Sequence, residues 1–173
     1  MLSSRFGLLK ISLFIDSLNR KVGLGISWLA FVLVLLIVVD VVLRYLINYG
    51  SVANAELEWH LFGIIITGSV GYAYLENKHV RVDIFYNRFP DRTQAFVDLL
   101  GNCLLLLPFC IVGLYKSLPF ALNSFEIRET SPDPGGLPAR FLIKSMIPIA
   151  FFLLGLQTCS QIIKGVHNLT HRA

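Results

Sequence analysis

From Gly23 to Ile47 only Asp40 and Arg44 carry charge. A helix over this run crosses the roughly 30 Å of hydrocarbon in a bilayer, at about 1.5 Å per residue. Three more apolar runs follow, at about 54–75, 93–118 and 138–165. Inside lipid every backbone N–H and C=O must be paired within its own element, so such runs become helices. The composition agrees: 15% of residues are charged, against about 25% in a soluble domain. The chain is therefore expected to be all-α, a polytopic membrane protein with four transmembrane helices, residues 1–173 forming a single domain.

An N-terminal amphipathic helix is expected over 5–22, lying in the membrane interface. Leu8, Ile11, Ile15, Leu18 and Val22 recur at helical spacing, with Arg5, Ser12, Asp16 and Asn19 on another face. The apolar stripe is the side expected to meet lipid or a partner. Lys10, Asp16, Arg20 and Lys21 interrupt it, so it does not read as a signal peptide.

Inside the first span Asp40 and Arg44 lie four apart and can pair on one face. The second span is expected to open after Asn54, with Glu56 and Glu58 in its first turn, where the helix dipole favours carboxylates. Gly63, Thr67 and Gly71 form a small-residue face along it. The third span holds Asn102 and Pro108. A loop from Asn123 to Pro138 follows, stiffened by three prolines and given freedom by Gly135 and Gly136. Pro138 is expected as the first residue of the last helix.

The two pairs of spans are separated by the densest charge in the chain, Glu76-Asn77-Lys78-His79-Val80-Arg81-Val82-Asp83 and then Arg88, Asp91 and Arg92. With the N-terminus inside, the cytoplasmic regions hold Arg5, Lys10, Arg20, Lys21, Lys78, Arg81, Arg88, Arg92, Lys164 and Arg172. The outer side holds Arg44, Lys116, Arg128, Arg140 and Lys144. The excess places both termini in the cytoplasm, and the net charge of +4 is read as topology, with no nucleic-acid partner.

Catalytic, substrate-binding and metal sites are not expected, nor a cofactor. Cys103, Cys110 and Cys159 lie in apolar runs without paired ligand spacing and read as small buried hydrophobes. His60 has no second intramembrane histidine with which to hold haem. His167 and His171 sit in a polar tail. There is no nucleophile elbow and no phosphate loop, so the chain does not read as an enzyme. Asp40 leaves one alternative open, a self-sufficient four-helix proton-coupled exporter using that carboxylate. Its neighbour Arg44, and the lack of two similar halves, weigh against this reading.

The chain resembles the small, Q-type four-helix membrane subunit of tripartite ATP-independent periplasmic (TRAP) transporters. The resemblance covers nearly the full length. It is carried by Glu56-Leu57-Glu58-Trp59-His60, by Gly71-x-x-Tyr74 leading into Glu76–Asp83, by Ser131-Pro132-Asp133-Pro134-Gly135-Gly136-Leu137-Pro138, and by Ile143-Lys144-Ser145 with Gln157. The resemblance implies a multi-pass protein of the bacterial inner membrane. It would be a scaffold subunit that braces a large permease subunit and helps dock a periplasmic substrate-binding protein during sodium-coupled uptake of small organic acids. It implies large-subunit or lipid contacts at Asp40, Arg44, Glu58, Trp59, His79, Arg81, Asp83, Arg140 and Lys144. Binding-protein contacts are implied at Ser131, Asp133, Pro134, Gly135, Gly136 and Pro138.

Overall fold

A computed structural model describes residues 2–76 and 89–171, with side chains described for 7–76, 89–90, 92–167 and 169. His79, Arg81 and Asp83 lie outside the described residues. Those described fold into helices α1 (Leu2–Leu46), α2 (Val52–Leu75), α3 (Asp91–Gly101), α4 (Leu107–Glu126) and α5 (Phe141–His171), with a π-helical turn, Asn102–Leu106, joining α3 to α4. No strand occurs among them. Helix α5 is central: α1 and α2 pack on each other and on α5, while α3, the π turn and α4 pack on α5.

Three helical stretches are long and apolar enough to cross a membrane by length and composition: Gly7–Leu46, Arg92–Glu126 and Phe141–His167. Helix α2, expected as the second span, is not among them; it carries Glu56, Glu58 and His60 in its first half.

The expected N-terminal helix and first span are one unbroken helix of 45 residues, about 68 Å long. Gly23 and Gly25 do not break it, since a glycine inside a helix costs only ~0.5–1 kcal/mol. Gly23 has a packing use as well: a Cβ there would collide with the Tyr72 side chain.

The two faces of 5–22 part as their composition divides them, with most of the apolar stripe turned away from the other helices. Leu8, Ile11, Leu13 and Phe14 point outward, Phe14 being 70% exposed, while Ser12 and Asn19 are sealed against α5. Ile15 alone of the predicted stripe is fully buried. The same division runs through the described residues. The buried side chains are largely polar (Ser12, Asn19, Asp40, Glu56, His60, Asn102, Gln157, Thr158, Ser160), and the outward faces carry Trp28, Phe31, Leu104, Phe109 and Ile111. A chain whose solvent is hydrocarbon gains nothing by hiding leucine, and instead brings small and polar side chains together between helices.

The apolar core is small: Tyr74, Cys110 and Leu154, with Val70 and Leu106 against them. It lies beside the π turn, which has a local cause. Pro108 has no N–H to donate and its ring crowds the carbonyl one turn back, so the helix widens over Asn102–Leu106 and the Leu107 N–H bonds back to Asn102 O. Asn102, buried there, accepts a hydrogen bond from the Tyr74 hydroxyl. The small-residue face of α2 permits close approach as expected. A Cβ on Gly63 would lie 2.9 Å from Ile143 Cδ1, and one on Gly71 would strike Asn19 Oδ1 and come within 3.2 Å of Leu153 O.

Three boundaries differ from expectation. Helix α2 starts at Val52 with no acidic residue in its first turn, so Glu56 and Glu58 are not dipole partners there. Helix α4 runs to Glu126, past Asn123. Helix α5 starts at Phe141, because the chain before it is tied into its own loop and Pro138 is not helical.

Candidate functional site

The loop between α4 and α5 takes its shape from local chemistry. Gly136 N–H donates to Asp133 O at 3.0 Å, with Pro134 and Gly135 between them. Gly135 has φ +81°, the value a type II turn requires after proline. Ser131 N–H donates to Leu137 O at 3.1 Å, closing the loop, and Arg140 N–H donates to Glu129 O at 2.9 Å. Arg128 and Ala139 take left-handed φ of 47° and 66° at the two loop ends.

Helix α2 supplies the anchor. Glu56 is 4% exposed; its carboxylate accepts the Ser131 hydroxyl and the Leu137 N–H at 2.6 Å. Ser131 Oγ in turn accepts the Asp133 N–H at 3.2 Å. Gly136 lies flat against this clasp, and a Cβ on it would stand 2.9 Å from Glu56 Oε2. The predicted docking residues thus divide. Ser131 and Gly136 turn inward onto Glu56, while Asp133, Pro134, Gly135 and Pro138 are exposed.

Charges ring the clasp. Lys144 pairs with Glu129, which also accepts the Ser124 hydroxyl at 2.7 Å. The hydrogen bond from Lys144, then that from Ser124, hold the Glu129 carboxyl below the usual carboxylate range. Lys144 Nζ also lies 4.4 Å from the centre of the Phe120 ring. Arg140 stands 5.7 Å over Trp59, and the Trp59 and His60 rings lie 4.0 Å apart. His60 is structural: buried, it donates from Nδ1 to Glu56 O. Glu58 Oε1 and Arg140 Nε are buried with no hydrogen-bond partner among the described residues. On α1, Asp40 is 2% exposed, pairs with Arg44 as its spacing predicts, and accepts Asn54 Nδ2 from α2 at 3.5 Å.

A second polar cluster joins the opposite end of α5 to α1. Asn19 Nδ2 donates to Gln157 Oε1 at 2.9 Å, and Gln157 Nε2 donates to Asp16 Oδ1 at 2.9 Å. Ser160 donates to Asp16 at 2.7 Å, Lys164 pairs with Asp16, and the Ser12 and Ser160 hydroxyls meet at 2.8 Å. Arg20 and Glu76 close the edge at 3.1 Å. Among the described residues no three His, Cys, Asp or Glu side chains converge as metal ligands.

Sequence reasoning missed this seam and the Glu56 clasp. Two complementary polar stripes were there to find: Ser12, Asp16 and Asn19 on one helix, Gln157, Ser160 and Lys164 on the other. Nothing in local spacing joins Glu56 to Ser131, which lies 75 positions further along.

The arrangement joins helices and fixes a loop; the carboxylates of Asp16, Asp40, Glu56 and Glu129 face partners of their own chain. A Haemophilus influenzae protein provisionally named a TRAP transporter small permease protein is 31% identical over 104 residues, 60% of this chain and 64% of that relative. The chain therefore matches a little under two thirds of the relative's length. The family model for the DctQ component of tripartite ATP-independent periplasmic transporters covers residues 33–168. With most of its length inside that match, the chain belongs to the DctQ component family of tripartite ATP-independent periplasmic transporters.

Proposed function

We propose that this chain is the scaffold subunit of a TRAP transporter. It braces a large permease subunit in the bacterial inner membrane and helps dock a periplasmic substrate-binding protein during sodium-coupled uptake of small organic acids. Both termini lie in the cytoplasm, α2 is the fourth span, and the inner part of α1 runs out of the hydrocarbon into the interface.

The observation that carries this reading is the pairing of charge inside the helical layer. Asp40 is held by Arg44 and Asn54, and Asp16 by Lys164, Ser160 and Gln157. A carboxylate serving a coupled transport cycle must bind and release its ion, and static partners of this kind oppose release. Helix α2 fits as a fourth span on the same grounds: its polar residues Glu56 and His60 are buried against protein, which lowers the apolar content it needs.

In this assembly Asp40, Arg44, Glu58, Trp59, Arg140 and Lys144 contribute contacts to the large subunit or to lipid headgroups, as do His79, Arg81 and Asp83 in the connector. Asp133, Pro134, Gly135 and Pro138 face the binding protein. The test is capture of a tagged copy from its native membrane in mild detergent. A large polytopic membrane protein at constant ratio is expected; recovery of the chain alone, or only with copies of itself, contradicts the proposal.

A further inference from the structure

We infer that Glu56 is the positioning residue of the outer loop, holding the exposed turn Asp133–Gly135 in the shape that the binding protein meets. The inference rests on the docking reading above and assigns that task to a residue on a different helix.

Three observations converge. The carboxylate of Glu56 is almost fully buried and receives both the Ser131 hydroxyl and the Leu137 N–H, so it ties together the residues that open and close the turn. Gly136 is pressed against it with no room for a side chain. The turn itself points away: Asp133, Pro134 and Gly135 are all exposed. The motif therefore has an inward set that folds around Glu56 and an outward set free to touch a partner. Without the carboxylate, the type II turn keeps its own Gly136–Asp133 bond but loses its fixed orientation on α2. Prior ordering of a loop in its bound shape strengthens binding by removing the ordering cost from the encounter.

The test uses the assembled transporter in liposomes, with purified binding protein and radiolabelled substrate. Glu56→Ala is expected to speed hydrogen exchange at the Leu137 amide and to raise the half-saturating concentration of binding protein about tenfold, the size of one lost charge-assisted hydrogen bond. The maximal rate stays within about twofold, since the transport path is untouched. Glu56→Gln, which keeps one carbonyl acceptor of the same reach, recovers most of both. A role confined to folding would instead lower the yield of complex and the maximal rate at constant half-saturation, and that pattern overturns the inference. Faster exchange with unchanged half-saturation overturns it through the docking reading; unchanged exchange overturns it through the clasp. If Glu56→Ala does not assemble, Gly136→Ala carries the test, because it retains the charge and disturbs only the seat. An unchanged half-saturation in that variant is then the contrary result.

Discussion

The side-chain amides of Asn19 and Gln157 meet at 2.9 Å, with both residues essentially sealed from the outside. This contact joins the N-terminal part of α1 to the C-terminal part of α5, and Leu8, Ile11, Leu13 and Phe14 of α1 point outward.

Removing one partner of that pair strands the other. A double-mutant cycle on Asn19→Ala and Gln157→Ala, read by denaturation in detergent, is expected to give a coupling of about 0.6 kcal/mol, the average for hydrogen bonds between membrane helices, and no more than about 1.7 kcal/mol. The water-soluble figure for a buried unsatisfied group, ~1–3 kcal/mol, runs higher. Strictly additive effects contradict a direct bond.

Gly71 is where α2 approaches both α1 and α5. Gly71→Leu is expected to destabilise the fold by about 1–3 kcal/mol through overpacking, because the Asn19 amide and the Leu153 carbonyl occupy the space. Gly25→Ala is the control, with nothing within 4 Å of a new Cβ; it should be neutral or stabilising by up to ~1 kcal/mol. Equal losses at both positions refute the close-packing account.

Much of the helix pattern was legible from apolar runs alone, because hydrocarbon imposes length and composition on whatever crosses it. The Asp40–Arg44 pair and the small-residue approach of α2 were legible too, since both follow from helical spacing. The polar partners of 5–22 were not. Periodicity marks Ser12, Asp16 and Asn19 as one face but does not say that α5, well over a hundred positions on, offers them partners. The start of α5 was missed for another reason: Pro138 suits a helix N-terminus, yet the Ser131–Leu137 and Arg140–Glu129 bonds hold the chain in the loop for three more residues.

Acid should loosen the outer loop through Glu129. Its carboxyl titrates below the ordinary range because it accepts hydrogen bonds from Lys144 and Ser124. Such a group stabilises the fold fully above its unfolded value of about 4.3, and the contribution fades as pH falls through the lower folded value. Proteolytic nicking between Arg128 and Arg140, followed with an acid-active protease, is expected to rise below about pH 4. Glu129→Gln should be nicked more readily at neutral pH and show a flatter pH response. A wild-type profile unchanged by Glu129→Gln contradicts this assignment.

Asp40→Asn discriminates between brace and exporter inside the intact complex. It keeps the shape of the group next to Arg44 and Asn54 and removes its charge. Uptake within about twofold of wild type is expected, because the brace reading gives Asp40 no part in carrying ions. Loss of proton- or sodium-driven flux with full assembly points to a transport carboxylate instead.

The central claim is that this chain supports transport without performing it. The direct measurement is solute flux in liposomes holding the chain alone, the large subunit with this chain, or neither, each given the binding protein, organic acid and a sodium gradient. Flux is expected only where both membrane subunits are present. A gradient-driven flux in liposomes holding this chain by itself would contradict the account.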